Sequence, residues 1–265
     1  MRGGRDTRAS RVAPPTRTAN TSAVRSIVVR VLGVRDEASD RRRILVRALL
    51  VASALVTAGV AFRVQRTGSL DTTNLVWNLF LAWIPFVLAL VLYDGARHGS
   101  STHRAASAHR ALGLGFLWLL FLPNAPYIVT DAKWLDEYQA GALWYDTLLV
   151  GAAATVGLVL GFVSLYLVQA VAARRLGAVG GWVVAWAALV LSGLGVYLGR
   201  FQRWNSWELF TEPGKILGGL VTGAFDPLAH ARPLAWSMFF AVALCVGYTL
   251  FTVVFRSQLE RMHDR

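Results

Sequence analysis

Two runs of the sequence place polar and charged side chains where apolar residues dominate. FLPNAPYIVTD, from Phe121 to Asp131, sets Asn124 between Pro123 and Pro126 and closes on Thr130 and Asp131. LGRFQRWNSWE, from Leu198 to Glu208, sets Arg200, Arg203 and Asn205 among Phe201, Trp204 and Trp207. An arginine guanidinium is a planar fork that suits a carboxylate or a phosphate. An asparagine amide adds two donors and an acceptor. Asp131 and Asp146, the latter in the run WYD, are carboxylates that could pair with such a fork or act as a base, provided a substrate comes within hydrogen-bond reach. The candidate ligand contacts are therefore Asn124, Asp131, Asp146, Arg200, Arg203 and Asn205.

Each has a plainer reading beside the chemical one. Pro123 and Pro126 lack backbone N–H groups, so carbonyls near Leu119 and Leu122 lose their helical donors, and Asn124 is placed either to cap them or to meet a ligand. Thr130 or Asp131 could be the N-cap of a short helix over AKWLDEYQAG, and Asp146 the N-cap of the following span. Arg200, Arg203, Trp204, Trp207 and Glu208 share one helical face, which fits an interfacial aromatic belt with snorkelling arginines, pairing with Asp131 or Asp146, or contact with an anionic ligand.

Other chemistries find no support. His98, His103 and His109 lack the spacing and acidic partner of a zinc helix. LSGLG around Ser192 lacks the glycine two residues before the serine that an intramembrane serine protease would carry, and there is no phosphate-cradling loop. Neither a metal nor a cofactor is expected.

The elements that must carry these residues are membrane spans. With 265 residues, 55% of them hydrophobic and only 16% charged, the chain is too apolar for an ordinary soluble domain. A hydrocarbon layer of roughly 30 Å takes about 20 helical residues. Six segments are long enough: 44–62, 75–93, 111–129, 147–171, 181–201 and 236–255. They define an all-α membrane domain over 44–256, between a basic tail at 1–43 and a short tail at 257–265. A further apolar run, 216–225, is too short to span and reads as interfacial or re-entrant. Gly157 with Gly161, and Gly195 with Gly199, are small-xxx-small pairs that let helices approach closely and make the fourth and fifth spans expected neighbours.

The net charge of +12 does not point to nucleic acid, because eleven of the 25 arginines precede Ile44. That tail is rich in Arg, Ser, Thr and Pro, poor in large apolar residues, and suited to lie disordered against anionic headgroups. Arginines also gather after the second and fourth spans and at the C-terminus, so both termini are expected in the cytoplasm. On that threading Asn74, Asn78, the Pro123–Asp131 run, Asp146 and Arg200 all face the outer side.

Five runs in this order, NLFLAWIPF, FLPNAPYIVTD, WYD, GFVSLY and GRFQRWNSWE, resemble the bacterial multi-pass membrane proteins grouped as domain of unknown function 1361. The resemblance covers Asn74 to the end of the chain and implies a helical membrane bundle without assigning an activity. Three functions stay open: binding or transport of a small anionic or zwitterionic ligand or lipid headgroup at the outer cluster of a bacterial cytoplasmic membrane protein; an enzyme acting on a lipid-linked substrate; and an assembly partner in an envelope complex.

Overall fold

The structure, a computed structural model, describes residues 37–98, 104–136, 143–201 and 231–260, together with residues 211, 214 and 218. The described residues are helical apart from the turns at 68–72 and 122–123, with no strand among them. In hydrocarbon there is no water to receive an open N–H or C=O, so an apolar run of this length satisfies its backbone internally as a helix.

The helices are α1 (Glu37–Thr67), α2 (Thr73–His98), α3 (Arg104–Phe121), the short α4 (Asn124–Tyr127), a 3-10 helix (Ile128–Asp136), α5 (Leu143–Phe201) and α6 (Ala231–Glu260). Among the described residues five stretches are long and apolar enough to cross a membrane: Arg42–Thr67, Thr73–Arg97, Ala108–Ala132, Trp144–Arg200 and Ala235–Phe255. α1 begins at Glu37, ahead of the span start expected at residue 44, so the last residues of the basic tail belong to a helix. The tail before residue 37, the apolar run at 216–225 and the last five residues lie outside the described residues.

α5 is two helical arms joined at Gly177, whose φ of 79° and ψ of 171° leave the helical region. A side chain would be strained at that φ, and glycine is not. The elbow falls inside the loop expected between the fourth and fifth spans.

α5 and α2 form the middle of the bundle, with 56% and 44% of their most apolar windows buried, against 17% for α1. α1 lies against both of them and α6 lies against α5. One core cluster includes Leu75, Phe86, Ile128, Ala153 and Leu160; the other includes Trp118, Leu165, Leu189, Leu244 and Tyr248. Lipid tails are as apolar as leucine, so helices here associate through close fit and interhelical hydrogen bonds. Such bonds recur: Trp83 Nε1 donates to Ser53 Oγ at 3.1 Å, Tyr145 Oη to the Gly59 carbonyl at 2.8 Å, and Tyr248 Oη to Gln169 Oε1.

α2 runs on through a buried Pro85. Beside this proline Trp118 Nε1 donates to Ser164 Oγ at 2.7 Å, and Ser164 Oγ donates to the Pro85 carbonyl at 3.2 Å. This relay ties α3, α5 and α2 together where a proline weakens the backbone ladder.

Candidate functional site

The third long stretch breaks at its prolines, and the break is repaired locally. The amide of Ala125 donates to the Leu122 carbonyl at 3.1 Å and that of Tyr127 to the Pro123 carbonyl at 3.1 Å. Asn124 Nδ2 donates to the Phe121 carbonyl at 3.0 Å. Asn124 thus does what a capping side chain does for an exposed carbonyl.

Three glycines make room for this segment. A Cβ on Gly157 would stand 2.7 Å from the Ala125 carbonyl oxygen, one on Gly161 3.0 Å from Ala125 Cβ, and one on Gly195 2.6 Å from Pro123 Cγ. Gly157 and Gly161 on the first arm of α5 and Gly195 on the second therefore receive the broken segment. Of the three, Gly157 meets a backbone atom, the Ala125 carbonyl oxygen, whereas Gly161 meets the Ala125 Cβ and Gly195 the Pro123 ring, so the close approach at these glycines includes the broken segment.

Arg200, at the end of the second arm, clamps the chain just beyond the break. Its Nη2 donates to the Thr130 carbonyl at 2.9 Å, its Nη1 lies 3.6 Å from Asp131 Oδ1, and its Cζ is 6.0 Å from the centre of the Tyr127 ring. From the other side Asn78 Nδ2 donates to Asp131 Oδ2 at 2.9 Å. Asp131 is 1% exposed, so this carboxylate lies inside the bundle between an arginine and an amide. It is not an N-cap: Asp131 lies within the 3-10 helix, and the Thr130 hydroxyl turns back to the Tyr127 carbonyl at 2.7 Å.

Asp146 has a different partner from the arginines expected for it. It lies in the first turn of α5, which starts at Leu143, and its carboxylate is held by Arg63 of α1 through Nε to Oδ1 and Nη2 to Oδ2, the latter at 2.9 Å. Asp146 is 0% exposed and Arg63 5%. The reading of Asp146 as an N-cap or as a partner of Arg200 gives way to this fork, because α1 delivers a guanidinium to the start of α5.

The structure thus brings Asp131 and Arg200 together, joins Asn124 to the same break, and gives Asp146 to a second pair. Arg203 and Asn205 lie outside the described residues. Two further groups belong to this end. Asn74 lies one turn before Asn78 on the same face of α2, and its Oδ1 is buried with no hydrogen-bond partner among the described residues, as is Thr72 Oγ1. Sequence reasoning did not single out Arg63, which follows an apolar run and resembles any span-end cation, or Thr72.

The sequence matches the family described as "Protein of unknown function (DUF1361)" over residues 77–246. The chain belongs to that family. No curated protein and no solved structure matches it.

Proposed function

We propose that this DUF1361 protein crosses a bacterial cytoplasmic membrane six times, the two arms of α5 counting separately, with both termini in the cytoplasm. At its outer end it receives a small anionic or zwitterionic group, such as a lipid headgroup. Ionisable residues inside a membrane domain are costly, and functional sites are where they are most often kept. The observation that carries the reading is the polar ladder of Asn74, Asn78, Asp131 and Arg200, in which Asn74 Oδ1 is buried with no partner among the described residues. A buried acceptor of that kind calls for a donor. An ammonium would supply one at Asn74, and Arg200 is the cation nearest Asp131 for an anionic portion of the same ligand.

Catalysis by a general base draws less support. Asp146 is locked into a two-pronged contact with Arg63 that occupies both of its oxygens. The test is native mass spectrometry of the purified protein released from its membrane. Wild type is expected to carry an added mass that Asn74→Ala and Arg200→Ala both lose. The same added mass on all three proteins, or none on wild type, would remove the reading.

A further inference from the structure

The turn that leads into α2 pairs its exposed polar groups and leaves a buried one without a partner. Gly68, at a φ of 69°, takes the chain out of α1, and its amide donates to the Val64 carbonyl at 2.8 Å. The exposed Thr67 hydroxyl donates to the Arg63 carbonyl at 2.9 Å and accepts the Ser69 amide at 3.2 Å. The Ser69 hydroxyl donates to the exposed Asp71 carboxylate, and the exposed Thr73 hydroxyl to the Leu70 carbonyl at 2.7 Å. Thr72, in contrast, is 0% exposed, and its Oγ1 has no hydrogen-bond partner among the described residues.

A threonine just ahead of a helix ordinarily caps it, its hydroxyl accepting an amide of the first turn. Here the Leu75 amide goes to the Thr72 carbonyl instead, at 3.1 Å, and the hydroxyl makes no cap bond. Two positions on, Asn74 Oδ1 is likewise buried and without a partner among the described residues. One turn further, Asn78 donates to Asp131. The start of α2 therefore adds two shielded, unused oxygens to the end of the polar ladder. Buried polar atoms are ordinarily hydrogen-bonded, so each calls for a partner.

The two oxygens narrow the chemistry of that partner. Asn74 Oδ1 needs a donor, whereas the Thr72 hydroxyl both gives a proton and takes one. An ammonium would serve Asn74 taken alone, but it only donates, and a phosphate oxygen only accepts. Both side chains are neutral, so neither offsets the cost of desolvating a full charge. A hydroxyl donates, accepts and carries no charge. We propose that the Thr72–Asn74 turn receives the hydroxyls of a polyol headgroup, such as the glycerol of phosphatidylglycerol. This rests on the headgroup reading of the same end and names the part of the headgroup that α2 recognises.

Phosphatidylglycerol and phosphatidylethanol carry the same phosphate charge and differ in their headgroup hydroxyls, so the full chain in a neutral detergent, melted during titration with each, tests this. Wild type is expected to need about tenfold less phosphatidylglycerol than phosphatidylethanol for the same rise in melting temperature, the order that a hydrogen bond or two supplies. Thr72→Val keeps the shape of the side chain without its hydroxyl. It should weaken phosphatidylglycerol alone and bring the two titrations together, and Thr72→Ser should restore the preference. Without lipid, Thr72→Val should melt no lower than wild type, since the hydroxyl it removes has no partner to lose. A lower melting temperature there would mean that the hydroxyl is already bonded within the protein, which overturns the proposal. So would coincident titrations of the two lipids in wild type, or a preference that survives Thr72→Val, as an ordered water serving both oxygens would produce. Glycerol 3-phosphate acting as well as phosphatidylglycerol would overturn the assignment to a lipid. No rise with either lipid would remove the headgroup reading itself and this inference with it.

Discussion

Arg63 near the end of α1 and Asp146 at the start of α5 lie 83 positions apart in sequence and form a buried, two-pronged ion pair. Arg63 precedes the 77–246 stretch that defines the family and Asp146 lies within it. The helix outside the family match therefore neutralises a buried charge inside it. α1 has the smallest buried share of the described spans, and it docks through Leu49, Val56 and Val60 as well as through this pair.

Breaking this pair from one side should be costly. Arg63→Ala leaves an uncompensated buried carboxylate and is expected to lose about 3–5 kcal/mol, whereas replacing both partners, as in Arg63→Met/Asp146→Leu, removes the desolvation cost along with the attraction and should recover most of that loss. Reversible unfolding in detergent micelles measures both. A double variant as unstable as the single one would mean that the pair does more than anchor α1.

The glycines under the break give a sharper contrast. A Cβ at Gly157 would stand 2.7 Å from a backbone oxygen and 2.8 Å from Ile128 Cδ1, while one at Gly151 would meet nothing within 4 Å. Backbone yields less than the end of a side chain. Gly157→Ala is expected to destabilise by about 1–3 kcal/mol, as overpacking does, and Gly151→Ala to be neutral or slightly stabilising on helix propensity. Melting temperatures of the two variants decide it.

What the sequence made legible was the part that local chemistry controls. Apolar runs of span length became helices, PNAP became a break, and Arg200 found one of the two carboxylates proposed for it. Pro85 left no break in α2, and the bonds from Trp118 to Ser164 and from Ser164 to the Pro85 carbonyl cross between helices in a way that no local pattern reveals. Arg63 and Asp146 each read as an end-of-span residue with an ordinary local role, because their pairing is decided by how α1 lies against α5. The glycine spacing correctly signalled close approach, but spacing within a helix does not say what approaches.

The orientation of the bundle can be read with single cysteines, since Cys245 is the only thiol in the chain. In a Cys245→Ala background, Leu70→Cys places a thiol on the exposed turn between α1 and α2, and Val179→Cys places one on the exposed elbow of α5. The arginine distribution puts the first outside and the second inside. An impermeant maleimide applied to intact cells should label position 70 and spare position 179. The reverse pattern would invert the protein and move the Asp131 ladder to the cytoplasmic face.

Arg200 separates a structural clamp from a ligand contact, and its variants should fall in order. Arg200→Ala removes the bond to the Thr130 carbonyl and leaves Asp131, 1% exposed, with the Asn78 amide but without its cation. Loss of a partner from a buried pair costs about 3–5 kcal/mol, and the 3.6 Å separation from Asp131 places this variant toward the low end. Arg200→Lys keeps the charge but cannot reach Thr130 and Asp131 with the same flat fork, so it should lie between alanine and wild type. Arg110→Ala, at an exposed position of α3, should change stability by less than about 0.5 kcal/mol. Melting temperatures in detergent establish this order, and repeating them with added phospholipid tests the second role. A clamp alone shifts all curves equally with lipid, whereas a headgroup contact makes the lipid-dependent rise shrink from wild type to lysine to alanine. Coincident curves for all variants would leave Arg200 an interfacial anchor, and the break at Pro123 and Pro126 a stiff turn held by Asn124 and the glycines of α5.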